Sequence, residues 1–346
     1  MTVVPLAGPS SDVTPAQIRD EIGKDRLVAM YEQMLLIRRF EERCIQGARQ
    51  KKIAGFLHLY IGQESIATGI FNHLDSATDY SVTSYRDHAQ PLLLGVPARE
   101  LMAELFGKVT GIVRGKGGSM HFFSKDKKFL GGHGIVGGQT PIGTGGAFAC
   151  KYQNTGGVSV TFMGDGACGQ GTFHESLNLA SLWDLPAIYV IENNEYGMGT
   201  ATARAISVEM IAESKAPGYN MDGYTMDGTC LYSCWKTAQT FVGKTRSESR
   251  PSLVEAKSVR FVGHSISDSQ PYRSREAIAS LRESRDCIAK VQADLIETDW
   301  ASADDLDAID AAVKQIVQDA WNYAEESPIP PVSDLMRHVF AEEDQL

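Results

Sequence analysis

The 346-residue sequence contains no apolar run approaching the roughly 20 residues that a membrane-spanning helix requires. It has no surplus of positive charge: 33 Lys and Arg stand against 43 Asp and Glu, for a net charge of −10. That balance argues against a nucleic-acid or anionic-membrane surface. The first residues, MTVVPLAGPSSDVTPAQ, lack the basic region and long apolar core of a secretory signal. They also lack the Arg-rich amphipathic character of a transit peptide, so the cytoplasm is the expected location. Six cysteines (Cys44, Cys150, Cys168, Cys230, Cys234 and Cys287) form no paired framework. Cys230 and Cys234 have no second ligand pair nearby, which argues against zinc and for reduced, mostly buried thiols. Repeats and a clear interdomain linker are also missing. Residues 1–22 read as a flexible arm, and 23–346 as one α/β domain with helices at its C-terminal end.

What is present centres on the stretch from Val158 to Thr200. Val158, Val160, Phe162 and Met163 form an apolar run of strand length, broken by Gly164-Asp165-Gly166. Phe173, Leu177, Ala180 and Leu182 then recur at helical spacing, and Ala187 to Ile191 reads as a second strand ended by Glu192-Asn193-Asn194. This βαβ unit predicts a doubly wound, mostly parallel sheet with helices on both faces and polar turns at the carboxyl ends of its strands. Open parallel sheets bind ligands at those ends.

Two cofactor readings compete for the unit. Gly164-x-Gly166-x-x-Gly169 after a strand, with Glu192 ending the next one, satisfies a dinucleotide fingerprint and so an NAD-binding oxidoreductase. Asp165 opposes it, because a carboxylate between those glycines repels phosphate oxygens unless a divalent cation bridges them. Asn194 supplies a second hard oxygen of the kind Mg²⁺ takes together with substrate phosphates. The spacing of Gly-Asp-Gly, 26 residues and Asn-Asn resembles the diphosphate motif of thiamine-dependent enzymes, and the metal-diphosphate reading is preferred.

Elsewhere the pattern predicts a long helix from Lys24 to about Gln50, with Arg38-Arg39 and Glu41-Glu42 on a solvated face. A strand over 79–85 ends at Arg86, a natural phosphate ligand. A helix over 97–107 follows, and 131–146 holds eight glycines in sixteen residues. Ile135, Val136 and Ile142 are wrong for a solvated linker, so this segment reads as backbone packed closely on a flat ligand. Residues 201–227 read as irregular. A helix from about 231 to 244, a strand from Ser252 to Val259, a polar loop carrying His264, and helices at about 275–297 and 302–326 complete the chain.

The runs GFLHLYIGQE, Tyr85-Arg86, GKGGSMHFF, GGHGIVGGQTPIG, GDGACGQG and ENNEYGMGT occur in the order found in α subunits of pyruvate dehydrogenase E1 components, and the chain resembles that family over about residues 24–300. The resemblance implies thiamine diphosphate and Mg²⁺ as cofactors. It places the metal on Asp165, Asn194 and the carbonyl of Tyr196, and the diphosphate against Tyr85, Arg86, Gly166 and Ala167. It puts the aminopyrimidine against the backbone of Gly134 and Val136. His58 and His264 would line the channel as catalytic residues, with Arg260 and the 265–273 loop against the bound cofactor. It further implies pyruvate as substrate and decarboxylation followed by transfer to the lipoyl group of an E2 acyltransferase. An E1 β subunit would complete an α₂β₂ assembly and supply the glutamate that thiamine activation needs. Acetoin and branched-chain 2-oxo acid dehydrogenase α subunits are the alternatives within the same chemistry. Gly169 departs from the family's usual Asn. The loop after His264 is one residue shorter than in animal members, and Pro271 lies near where they carry a second regulatory serine, which argues against phosphorylation control although Ser265 matches the main regulated position.

Overall fold

The computed structural model describes residues 13–337 and 339. The chain runs α1 (Pro15–Ile22), α2 (Lys24–Arg49), α3 (Glu64–Phe71), β1 (Tyr80–Ser84), α4 (Ala89–Leu93), α5 (Ala98–Leu105), β2 (Phe129–His133) and α6 (Gln139–Tyr152). It continues through β3 (Ser159–Gly164), α7 (Gly171–Leu182), β4 (Ala187–Asn193), the ribbon β5 (Tyr196–Gly197) and β6 (Thr200–Ala201), α8 (Thr202–Ala205), α9 (Ile211–Lys215) and β7 (Asp222–Asp227). Then come α10 (Leu231–Glu248), β8 (Ser252–Lys257), α11 (Arg275–Arg285), α12 (Cys287–Glu297) and α13 (Ala303–Glu326).

Six strands form one parallel sheet in the order β2-β1-β3-β4-β8-β7. Both faces are covered, and side chains alternate between them as the pleat requires. Val160, Phe162, Ile188 and Val190 pack with residues of α3, α5 and α10, whereas Met163, Tyr189, Ile191 and Leu253 pack with residues of α6, α7 and α9. The doubly wound expectation holds. The order reverses between β1 and β3, because β2 lies to one side of β1 and the later strands to the other. All strands point the same way, so one sheet edge gathers every loop that follows them.

Several expectations are corrected. The proposed arm does not extend through residue 22: Thr14 and Gln17 form a capping box on α1, and Ile18 and Ile22 are buried. Residues 1–12 lie outside the described residues. Half of the Arg38–Glu42 charge cluster is not solvated: α3 and the cap of α12 cover Arg38, and Tyr60 and His88 meet Glu41, while Arg39 and Glu42 stay partly exposed. Arg38 bonds Glu64 at 2.6 Å and both oxygens of Asp286 at 2.9 and 3.2 Å, and Glu41 is fully buried. The glycine-rich segment is the end of β2, a five-residue turn at the cavity and the first half of α6. Gly143 and Gly146 let α6 approach Thr161 and Ser159 of β3, so their role is helix-on-sheet packing. Residues 201–227 hold the edge strand β7, which the polar composition concealed. The helix over 275–297 is two helices, split where Asp286 caps α12.

The segment Leu57–Gln63 is clamped between these elements. Glu41 accepts from the backbone N of Tyr60 at 2.7 Å, and Glu64 from that of Gly62 at 2.9 Å. Gly62 has φ 102°, and a Cβ there would collide with the carbonyl of Val259. Gly62→Ala therefore destabilises the fold by about 2 kcal/mol. Urea unfolding of the cofactor-free protein measures this; an unchanged midpoint would contradict the packing described.

Candidate active site

The loops at the carboxyl edge of the sheet enclose a cavity of about 800 Å³. Tyr85 and Arg86 enter from the end of β1, Gly134 and Val136 from β2, Asp165, Gly166 and Ala167 from β3, Asn194 and Tyr196 from β4, and Arg260 and His264 from β8. His58 completes the wall from the clamped segment before α3. All twelve residues singled out from the sequence thus line one cavity at the switch point of the sheet. Gly171 and the start of α7 do not; a 3₁₀ turn over Asp165–Gly169 intervenes. Phe56, Met120, Gln139, Glu192 and Asp268 also line it.

Two buried guanidinium groups dominate its electrostatics. Arg86 donates only to the carbonyls of Leu59 and His264. Arg260 donates to Asn194 Oδ1 at 2.9 Å, the Tyr196 carbonyl at 2.7 Å, the Met198 carbonyl at 3.2 Å and the Tyr272 hydroxyl at 3.0 Å. Neither forms an ion pair among the described residues, although Arg86 is 4% and Arg260 1% exposed. Burial, then repulsion from Arg260, lowers the Arg86 pKa to about 10. A buried, unpaired cation is costly, so such a cavity favours an anionic occupant.

A second feature is a cluster of hard oxygens. Asp165 is 2% exposed; burial raises its pKa, partly opposed by the hydroxyl of Thr202, which donates to Oδ2 at 2.7 Å. Asn194 Oδ1 and the Tyr196 carbonyl share the same guanidinium nitrogen, so these oxygens already stabilise positive charge.

A third feature is a ring cluster. The His58 ring lies 4.3 Å from Tyr85 and 5.0 Å from His264, centre to centre. Nδ1 of both histidines is buried without a hydrogen-bond partner among the described residues. Burial, then the charge of Arg86, pushes His58 down to about 3 and His264 to about 4. Both are therefore neutral at neutral pH and able to accept a proton. The His264 loop is tied to the rest: Asp268 accepts from the His264 backbone N at 2.7 Å and from Tyr272 at 2.6 Å, while Arg273 donates to the Arg260 and Val262 carbonyls.

The dinucleotide reading fails here. Glu192, which would hold a ribose, is buried and accepts from the Tyr60 hydroxyl; burial raises its pKa to about 7. Thr202 and Gln63 were missed as site residues. Gln63 stands in the GFLHLYIGQE run, whereas no pattern flags Thr202, which reaches Asp165 only because the β5–β6 ribbon folds back.

The fold and cavity define a doubly wound α/β protein with an anion-accepting site at its switch point. The chain belongs to the dehydrogenase E1 component family, whose family model matches residues 32–333. It is 44% identical to the pyruvate dehydrogenase E1 component subunit alpha of Rhizobium meliloti, over 91% of this chain and 90% of that one. It is 42% identical to the protein of the same name from Rickettsia bellii, over 92% and 96% of the two chains. The Zymomonas mobilis counterpart is 41% identical over 96% and 93%.

In the cofactor-free protein, the His58 and His264 titrations centre below about pH 5. Unfolding returns both to about 6.5, so the unfolded chain binds more protons in this window, and their contribution to stability is lost as pH falls from about 6.5 toward 4. Glu192 and Asp87, raised by burial to about 7, act in the opposite sense. A residue-resolved NMR titration separates the two; histidine midpoints near 6.5 would contradict the burial described.

Proposed function

We propose that this chain is the α subunit of a pyruvate dehydrogenase E1 component, which decarboxylates pyruvate on thiamine diphosphate and passes the acetyl group to the lipoyl domain of an E2 acyltransferase in the cytoplasm. The observation that carries this reading is the pair of buried guanidinium groups without ion pairs, set beside an oxygen cluster that accommodates positive charge. A diphosphate with a divalent cation matches both halves of that arrangement.

The residues fit the group. Asp165, Asn194 Oδ1 and the Tyr196 carbonyl would hold Mg²⁺, which favours a few protein oxygens plus phosphate oxygens. Arg86, Tyr85, Arg260 and the backbone of Gly166 and Ala167 would hold the diphosphate. The backbone of Gly134 and Val136 would face the aminopyrimidine. Thiamine diphosphate, when bound, supplies the electron sink that decarboxylation of a 2-oxo acid requires. His58 and His264, neutral and without partners on Nδ1, orient the carbonyl substrate and accept or return protons at those nitrogens. Tyr85 packs against both rings and limits their rotation.

A β subunit completes the site in an α₂β₂ assembly. An apolar face supports this part of the reading. Ile135 is 78% exposed beside cavity-lining Val136, and on and after α6 and α7 Phe148 stacks on Tyr152 and meets Trp183 edge-on, all three exposed. Phe148 and Trp183, with Pro141 and Leu179, line a depression of about 380 Å³. Exposed apolar clusters of this kind mark protein interfaces.

The test is turnover of pyruvate by the chain alone and with a β-type thiamine subunit. The chain alone is inactive, and the mixture decarboxylates pyruvate and acetylates a lipoyl domain. His264→Ala in the mixture retains cofactor binding and loses at least ~10²-fold in turnover. Full activity of the isolated chain, or near-normal turnover of the variant, would contradict the assignment.

A further inference from the structure

Asn194 presents its oxygen to the cation-accommodating cluster, and an amide can face either way. Its orientation follows from a line of polar groups behind it. Asn194 Nδ2 donates to Gln63 Oε1 at 2.9 Å, which turns Oδ1 toward Arg260. Gln63 is fully buried at the N-terminus of α3. Its own Nε2 makes no hydrogen bond among the described residues but lies near the Glu192 carboxylate. Glu192 is in turn held by the Tyr60 hydroxyl.

The sequence of groups alternates: an acceptor carboxylate, then the donor and acceptor ends of Gln63, then the donor and acceptor ends of Asn194. We infer that Gln63 is a positioning residue that fixes the Asn194 amide with its oxygen toward the bound cation. The inference rests on the metal-diphosphate reading proposed above. Without an acceptor at position 63 only Arg260 still orients the Asn194 amide, and the flipped form presents an NH₂ group that repels a cation. Groups that orient metal ligands in this way typically change metal affinity 10- to 100-fold when removed.

An aspartate at position 194 has two equivalent oxygens, so its orientation does not matter. Gln63 Oε1 would then face an oxygen instead of an NH₂ group. Removing Gln63 then costs no metal affinity through this route, which separates positioning from a general structural role. The experiment uses the protein assembled with its β-type subunit, with Mn²⁺ binding followed by electron paramagnetic resonance in the presence of thiamine diphosphate. Gln63→Met keeps the volume and removes the polarity; Gln63→Leu is the second variant, and thermal unfolding monitors folding. The expected result is at least ~10-fold weaker Mn²⁺ binding for Gln63→Met in the Asn194 protein, and none of that loss in the Asn194→Asp background. Equal loss in both backgrounds assigns Gln63 a packing role and overturns the inference, as does unchanged binding in Gln63→Met. If the unaltered protein binds no Mn²⁺ with thiamine diphosphate, or Asp165→Ala binds it equally well, the metal-diphosphate reading itself fails.

Discussion

The arrangement of this chain depends on two arginines held away from water with no carboxylate partner among the described residues. Arg86 and Arg260 sit at the ends of non-adjacent strands, β1 and β8, yet face one cavity because the sheet is parallel and all its carboxyl ends lie on one edge. Carbonyl and hydroxyl oxygens satisfy their N–H groups without neutralising them. Burial first, and this surplus charge second, lowers the pKa of both histidines, and the oxygens beside Arg260 share its charge. The anion preference thus originates in the two arginines, which also reinforce the neutrality that burial imposes on the imidazoles.

Supporting that charge requires a rigid surround, and the fold supplies it from outside the sheet. The long helix α2 carries Arg38 and Glu41 inward, where they meet Glu64 and His88 and hold the segment bearing His58. Breaking such a buried ion pair costs roughly 3–5 kcal/mol. The geometry of the cavity is therefore coupled to the same interactions that stabilise the fold.

The central βαβ unit was legible because its two strands are continuous apolar runs and its turns carry glycine, aspartate and asparagine. The burial of Arg38 and Glu41 was not, since a charged helix face looks the same whether water or another helix lies against it. Within 131–146 Gly134 lines the cavity while Gly143 and Gly146 pack on β3, a division the sequence hides because a glycine that admits a neighbouring strand has the same letter as one that admits a ligand. β7 was hidden by its position at the sheet edge, where one neighbour suffices and polar residues are tolerated. For the site, the twelve residues carried over from the family motifs all line one cavity. Gln63 and Thr202 act through other side chains, and such second contacts depend on distances that no spacing rule encodes.

The two arginines and the oxygens beside them suit a diphosphate and a divalent cation bound together. Calorimetric titration of the assembled protein with thiamine diphosphate, with and without Mg²⁺, tests this most directly. Saturation at one cofactor per α chain is expected with Mg²⁺, and a large loss of affinity once the metal is chelated. Equal affinity without a divalent cation, or no binding under either condition, would contradict it.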